Sequence, residues 1–259
     1  SVQGNNESVT YYVLGMGGTS ELDIQDNVFN LGGWFMFNIQ ASGIVKNNIF
    51  NGNESGNGAA INATQLDGLV VEGNTLKDTL GDTRFVIGGD YTITGNTFEA
   101  LGEDLAIGVY NKPETAAEIS GNTFVMDEGS HGICFTDEWG GEAGDLGTIT
   151  VANNTFEGKG VYHFKNTSWN GTLSLSENSF GEKLALETDA EMSVVLPDGP
   201  SKPDYKFWGW HDGLELHKAG ATVTVDENIV FTAKWTEIDS EEPSEDEDNT
   251  ESTTNPDGS

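Results

Sequence analysis

Ten residues hold most of the side chains in this 259-residue chain whose clustering suggests chemistry: Thr136-Asp137-Glu138-Trp139-Gly140-Gly141-Glu142-Ala143-Gly144-Asp145. Asp137 and Glu138, with His131 a little upstream, supply the carboxylates and the imidazole that general acid–base cleavage of a sugar chain uses. Asp137, Glu138, Glu142 and Asp145 are also clustered oxygen ligands of the kind Ca²⁺ takes, without EF-hand spacing. Trp139 lies four residues after Phe135 and Trp169 five after Phe164. Together with Tyr110 they read as an exposed aromatic row beside carboxylates, which is what a neutral sugar chain stacks on. Each feature has a plainer alternative: an acid-rich loop in a very acidic chain, a Trp folded over an edge, and a histidine satisfied at a corner.

What must position these residues is a repeat. Seven segments share one template: an aliphatic residue, two variable residues, Asn, one variable residue, then Phe or Leu. The Asn positions are Asn27, Asn48, Asn74, Asn96, Asn122, Asn154 and Asn178, separated by 21, 26, 22, 26, 32 and 24 residues. The interval is too variable for a helical repeat and suits stacked turns of β-strand. Period-two alternation precedes most copies, as in Leu22 with Ile24, Leu69 with Val71, Ile149 with Val151 and Leu173 with Leu175. Second strands are expected at 34–39, 85–87, 106–110 and 161–164. Stacking would align the Asn amides as a structural ladder and the Phe rings as an internal column. The longest interval, between Asn122 and Asn154, carries the 136–145 insertion, and insertions in such stacks map to surface loops. Counting from the ladder aligns His131 with His163. Aligning Phe135 with Phe164 instead sets Cys134 against His163.

Composition bounds the partners. With 43 Asp+Glu against 11 Lys+Arg the formal net charge is −32, which excludes most nucleic-acid binders and docking on anionic lipid. No run approaches the length of apolar chain that crosses a membrane. One cysteine, Cys134, permits no internal disulfide. The opening Ser1-Val2-Gln3-Gly4 has neither an initiator Met nor a secretory signal, so the chain is read as a trimmed piece of something longer.

The aliphatic-x-x-Asn-x-Phe series, repeatedly Gly-Asn-Thr-Phe, resembles the right-handed parallel β-helix repeats of the pectin-lyase-like superfamily over residues 10 to about 187. Phe207-Trp208-Gly209-Trp210, an Asp-bearing turn and the closing Thr232-Ala233-Lys234-Trp235 resemble the Listeria–Bacteroides (internalin B-type) repeat of bacterial surface proteins, a small β-grasp-like module. Asp204 stands where that pattern usually has Gly. The expected architecture is therefore all-β: a parallel β-helix over 1–188, a small β module over 189–236, and a disordered acidic tail over 237–259. The resemblance implies a bacterial, extracellular protein, secreted or attached to the cell surface or wall.

The enzymatic members of the superfamily imply motifs that can be sought directly. Lyases of this kind pair Ca²⁺-binding acids with a basic residue, and here Arg84 is the single Arg. Of the polygalacturonase-type motifs, Ser130-His131-Gly132-Ile133 faintly echoes one. The leading expectation is accordingly a non-catalytic, adhesin-like protein that binds a polysaccharide or a host or microbial surface glycan through Trp139, Trp169 and Tyr110. No cofactor is expected beyond a candidate Ca²⁺ at the 137–145 acids. The alternative is a polysaccharide lyase or glycoside hydrolase using Asp137, Glu138 and His131, and a third reading is an architectural stalk.

Overall fold

The protein is all-β in a computed structural model that describes residues 2–3, 12–17, 21–30, 35–51, 59–66, 68–77, 83–87, 90–99, 105–110, 116–136, 148–159 and 162–238. The 136–145 insertion beyond Thr136 and the 239–259 stretch lie outside the described residues.

Each of the first six repeats contributes a strand to each of three parallel sheets, visited in rotation. The first sheet holds the strands that precede the ladder Asn, from Leu22–Gln25 through Gly43–Lys46, Leu69–Glu72, Asp90–Thr94 and Ala116–Ser120 to Thr148–Ala152. The second holds three- or four-residue strands that follow it, from Val28–Asn30 through Ile49–Asn51, Thr75–Lys77, Thr97–Glu99 and Thr123–Met126 to Thr155–Gly158, with Val2–Gln3 at one edge. The third begins Tyr12–Gly17, Phe35–Gln40, Ala59–Leu66, Thr83–Ile87, Leu105–Tyr110, His131–Thr136, Tyr162–Asn166 and Lys183–Thr188. Every pairing among these strands is parallel, the arrangement expected of stacked turns and one compatible with a β-helix. Two strands per turn were expected. The extra one is the short x-Phe-x segment just after the Asn, where the core Phe is flanked by outward residues.

The corner between the first and second sheets explains the residue types at each repeat. The residue just before the ladder Asn is left-handed in six repeats: Asp26, Asn47, Gly73, Gly95, Gly121 and Asn153, with φ between 54° and 64°. Asn, Asp and Gly tolerate this conformation and other residues do not. A Cβ on Gly121 would meet nothing nearer than Thr94 Oγ1 at 3.8 Å, so conformation alone opposes a side chain there. Gly121→Ala is expected to cost about 1–2 kcal/mol and Gly121→Asn far less, checked by urea unfolding. Equal costs would remove this account of the corner.

Inside, Phe29 stacks on Phe50 at 5.2 Å between centroids. Phe98, Phe124, Phe156 and Phe180 continue the column at 5.0, 4.7 and 4.9 Å with planes within 6° of parallel. Leu76, opposite both Phe50 and Phe98, fills the place between the two runs. Such offset ring stacks add to the burial of their area.

The C-terminal segment is hydrogen-bonded into this stack. Lys183–Thr188 pairs parallel with Tyr162–Asn166 on one side and antiparallel with Ile229–Glu237 on the other. Tyr205–His211 and Leu216–His217 follow at the edge of the same sheet. A smaller sheet joins Thr172–Ser174, Met192–Val195 and Thr222–Val225. The Leu173–Leu175 alternation therefore leaves the first sheet, which ends at Thr148–Ala152. Trp210 is fully buried, its indole N–H donating to Pro197 O at 2.9 Å, and it shares one apolar core with Leu184, Leu196 and Phe231. Antiparallel strands thus cover the last parallel edge, as stacks of open-edged turns require.

Candidate functional site

The Asn ladder is the most fully built polar feature, and its chemistry is spent on the fold. Asn122 Oδ1 accepts from Asn96 N–H at 2.9 Å and from Asn96 Nδ2 at 3.0 Å, while Asn122 Nδ2 donates to Ile93 O and Asn154 Oδ1. The same pattern links Asn48 to Asn74, Asn74 to Asn96 and Asn154 to Asn178, and Asn27 hangs on Asn48. From Asn48 to Asn178 every ladder side chain is buried.

Of the expected aromatic row, Trp169 is corrected: its side chain is 5 % exposed and tilts against Phe135 at 5.0 Å in the core. Buried Asn166 holds it there, accepting from Trp169 N–H at 2.9 Å and donating to Trp169 O at 2.7 Å. An Asn that satisfies both backbone groups of a turn fixes that turn inward. Trp139 lies outside the described residues, as do Asp137, Glu138, Glu142 and Asp145, and for Tyr110 only the backbone is described. Its register is informative: Tyr110 is opposite Thr136, the last described residue before the 137–145 stretch. Among the described residues no group of three or more His, Cys, Asp and Glu could hold a metal ion.

His131 does not face His163, nor Cys134 His163. The register sets His131 against Tyr162, Ile133 against Phe164 and buried Cys134 against Lys165. His131 stacks on Tyr162 at 5.6 Å, and its Nε2 lies 3.0 Å from Glu187 Oε2. Lys165 Nζ lies 3.0 Å from the other oxygen of the same carboxylate. Burial would raise the Glu187 pKa, but the hydrogen bonds and charges of His131 and Lys165 outweigh it and hold the group below its ordinary range. An ionised carboxylate orienting an imidazole is an arrangement that general base chemistry uses. Glu187 had no signal in the sequence, since its partners lie one and two turns away.

A second feature unseen in the sequence is a cleft of about 360 Å³ between the ends of the second and third sheets. Phe156, Gly158 and Gly181 line it with Glu157, Lys159, Glu182 and Lys183, and His163 contributes its ring. His163 Nδ1 accepts from Ala185 N–H at 3.0 Å, and the ring stands edge-on to Phe156 and Phe180. Burial lowers its pKa to about 4. The imidazole is neutral at pH 7, and with Nδ1 accepting, its proton sits on Nε2. The cleft is therefore lined by a neutral imidazole, two carboxylates and two ammoniums.

The Asp212 carboxylate belongs to a turn. It accepts from Leu214 and Glu215 N–H and bonds His217 Nε2 at 2.8 Å, contacts that hold its pKa far below the usual carboxylate range. Compared with models of protein families, with curated proteins and with solved structures, the chain matches none.

Proposed function

We propose that the chain is the right-handed parallel β-helix of a secreted or cell-surface bacterial protein, resembling pectin-lyase-like repeats and closed by a β-grasp-like module resembling the Listeria–Bacteroides repeat. Its work is adhesin-like: a rigid rod that displays a glycan-binding surface. The observation that carries this reading is the ladder from Asn27 to Asn178, which spends its amides between turns and makes a stiff scaffold from sequence that is otherwise variable. Loops on such scaffolds are where recognition sits. The glycan platform is Trp139 and its 137–145 neighbours, which follow Thr136 in the chain, together with Tyr110 opposite Thr136; buried Trp169 is not part of it. Ca²⁺ would be held by the carboxylates of Asp137, Glu138, Glu142 and Asp145. No helix among the described residues is long and apolar enough to cross a membrane.

The test is binding to a panel of plant, mucin and microbial polysaccharides, with and without Ca²⁺. Trp139→Ala with Tyr110→Ala is expected to weaken binding of the retained glycan by about tenfold or more while thermal unfolding is unchanged. Unaltered affinity in the double variant would remove the platform.

One observation favours a second reading, a polysaccharide lyase or glycoside hydrolase. His131 is held by ionised Glu187 on the strand that ends where the Asp137–Glu138 pair begins. That reading expects turnover abolished by Glu138→Gln and by His131→Gln alike.

A further inference from the structure

Charge is distributed unevenly along this chain. Residues 202–234 hold four of the 11 Lys+Arg and five of the 43 Asp+Glu, so that this stretch is nearly neutral in a chain of net charge −32. None of its four lysines makes an ion pair among the described residues. Lys202 lies over the rings of Tyr205 and Trp235, each at 4.7 Å. Lys218 lies 5.4 Å from the ring of Trp208 and donates to the Trp208 carbonyl at 2.7 Å.

Trp208 itself is placed by a bulge. Phe207 is opposite Trp235 and Gly209 is opposite Lys234, so Trp208 is the extra residue of its strand. Bulges re-aim side chains, and this one leaves the indole 54 % exposed while Trp210, two residues on, is fully buried. Gly209 is required there, because a Cβ would come 2.5 Å from His217 O on the neighbouring strand. Lys206 lies two residues from Trp208 on the same strand and Lys234 is in register opposite the bulge; these and Lys218, over the ring, are all exposed. The bulge thus keeps a large apolar ring in water beside three ammoniums that form no ion pair among the described residues, and only Lys218 engages Trp208 within the fold.

We propose that this face binds an anionic polysaccharide, the Trp208 indole stacking on a sugar ring while Lys206, Lys218 and Lys234 take carboxylate or phosphate groups along the chain. Ring faces recognise the C–H side of a sugar, and compact ammoniums serve as point charges for either anion. The acidic remainder of the protein does not forbid this, since at physiological salt charges beyond about 8 Å are largely screened. A nucleic acid fits less well, because neutralising its phosphates takes a longer basic track than three lysines among five acids. The site lies outside the Tyr110–Trp139 platform and stands or falls apart from it.

The experiment measures binding of the whole chain to four probes: hyaluronan, its neutral carboxyl-methyl ester, a glycosylated glycerol-phosphate teichoic acid, and a single-stranded oligonucleotide. Binding to hyaluronan or to the teichoic acid, and not to the ester, is expected. Hyaluronan binding alone assigns the site to carboxylates, and teichoic acid binding alone assigns it to phosphates. Trp208→Ala is expected to weaken binding about tenfold, with Trp208→Phe retaining most of it. The Lys206→Gln, Lys234→Gln double variant is expected to weaken it comparably and flatten its salt dependence. No binding to either charged glycan, equal binding to the ester, unchanged binding after Trp208→Ala, or tighter binding to the oligonucleotide would each overturn the proposal.

Discussion

Asn122→Ala is expected to lower the stability of the stack by about 3–5 kcal/mol, among the largest costs available to a single side chain in this protein. Truncation removes the acceptor for the Asn96 backbone and side-chain N–H groups and the donor for Ile93 O and Asn154 Oδ1, all within the buried ladder. Each group stranded away from water costs its desolvation in full. Asn122→Asp separates shape from hydrogen bonding. The carboxylate still accepts from Asn96, but it has no proton for Ile93 O and sets a charge against Asn154 Oδ1. Its loss should match that of alanine at pH 7 and shrink as acid protonates it. Asn27→Ala is the control. Asn27 is only half-buried, and its described bonds are to Gln25 O and Asn48 Oδ1, so about 1 kcal/mol or less should be lost. Urea unfolding of the three variants, with hydrogen exchange across 90–124 to locate the opening, reads this directly. Equal losses at Asn27 and Asn122 would mean that the ladder does not act as a buried network.

The second large effect is a loss of stability in mild acid that traces to His163. Its folded pKa is about 4, below the ordinary value of 6.5, because burial disfavours the imidazolium. Between those values the unfolded chain takes up a proton that the folded chain refuses. The contribution is therefore fully present above pH 6.5 and is lost as pH falls through the window to 4, amounting to about 3 kcal/mol. Glu187 and Asp212, whose pKa values are depressed, add losses only below the ordinary carboxylate range. His163→Gln should flatten the profile between pH 6.5 and 4.5 and leave the steeper acid limb. A slope that survives that change would place the titrating group elsewhere.

How much of this was legible in the sequence depends on which contacts repeat. A ladder Asn must meet its own kind above and below, so the requirement is written at every turn, and the Asp, Asn or Gly that precedes it at every turn but the last, where Glu177 stands. The Phe column is legible for the same reason. Contacts made once leave no such mark. Asn166 takes the place opposite Phe135 because it closes the turn that carries Trp169 inward, and nothing in the local pattern separates that indole from an exposed one. The repeat fades near residue 190, which suggests a boundary. The hydrogen bonds cross it all the same, since Leu184 needs Phe231 opposite it to cover the last parallel edge. Alternation along 183–188 shows that Glu187 points away from the core, yet not that His131 and Lys165 wait on neighbouring strands. Trp208 was visible only as the variable member of an aromatic motif, because the bulge that turns it outward depends on pairing with a strand more than twenty residues away.

The central claim, that this chain binds glycans without cleaving them, is tested most directly by product release on the polysaccharides it retains. The account predicts bound glycan with no new reducing ends and no unsaturated sugars, with or without Ca²⁺. Release of either product, lost on Glu138→Gln or His131→Gln, would contradict it and make the chain an enzyme.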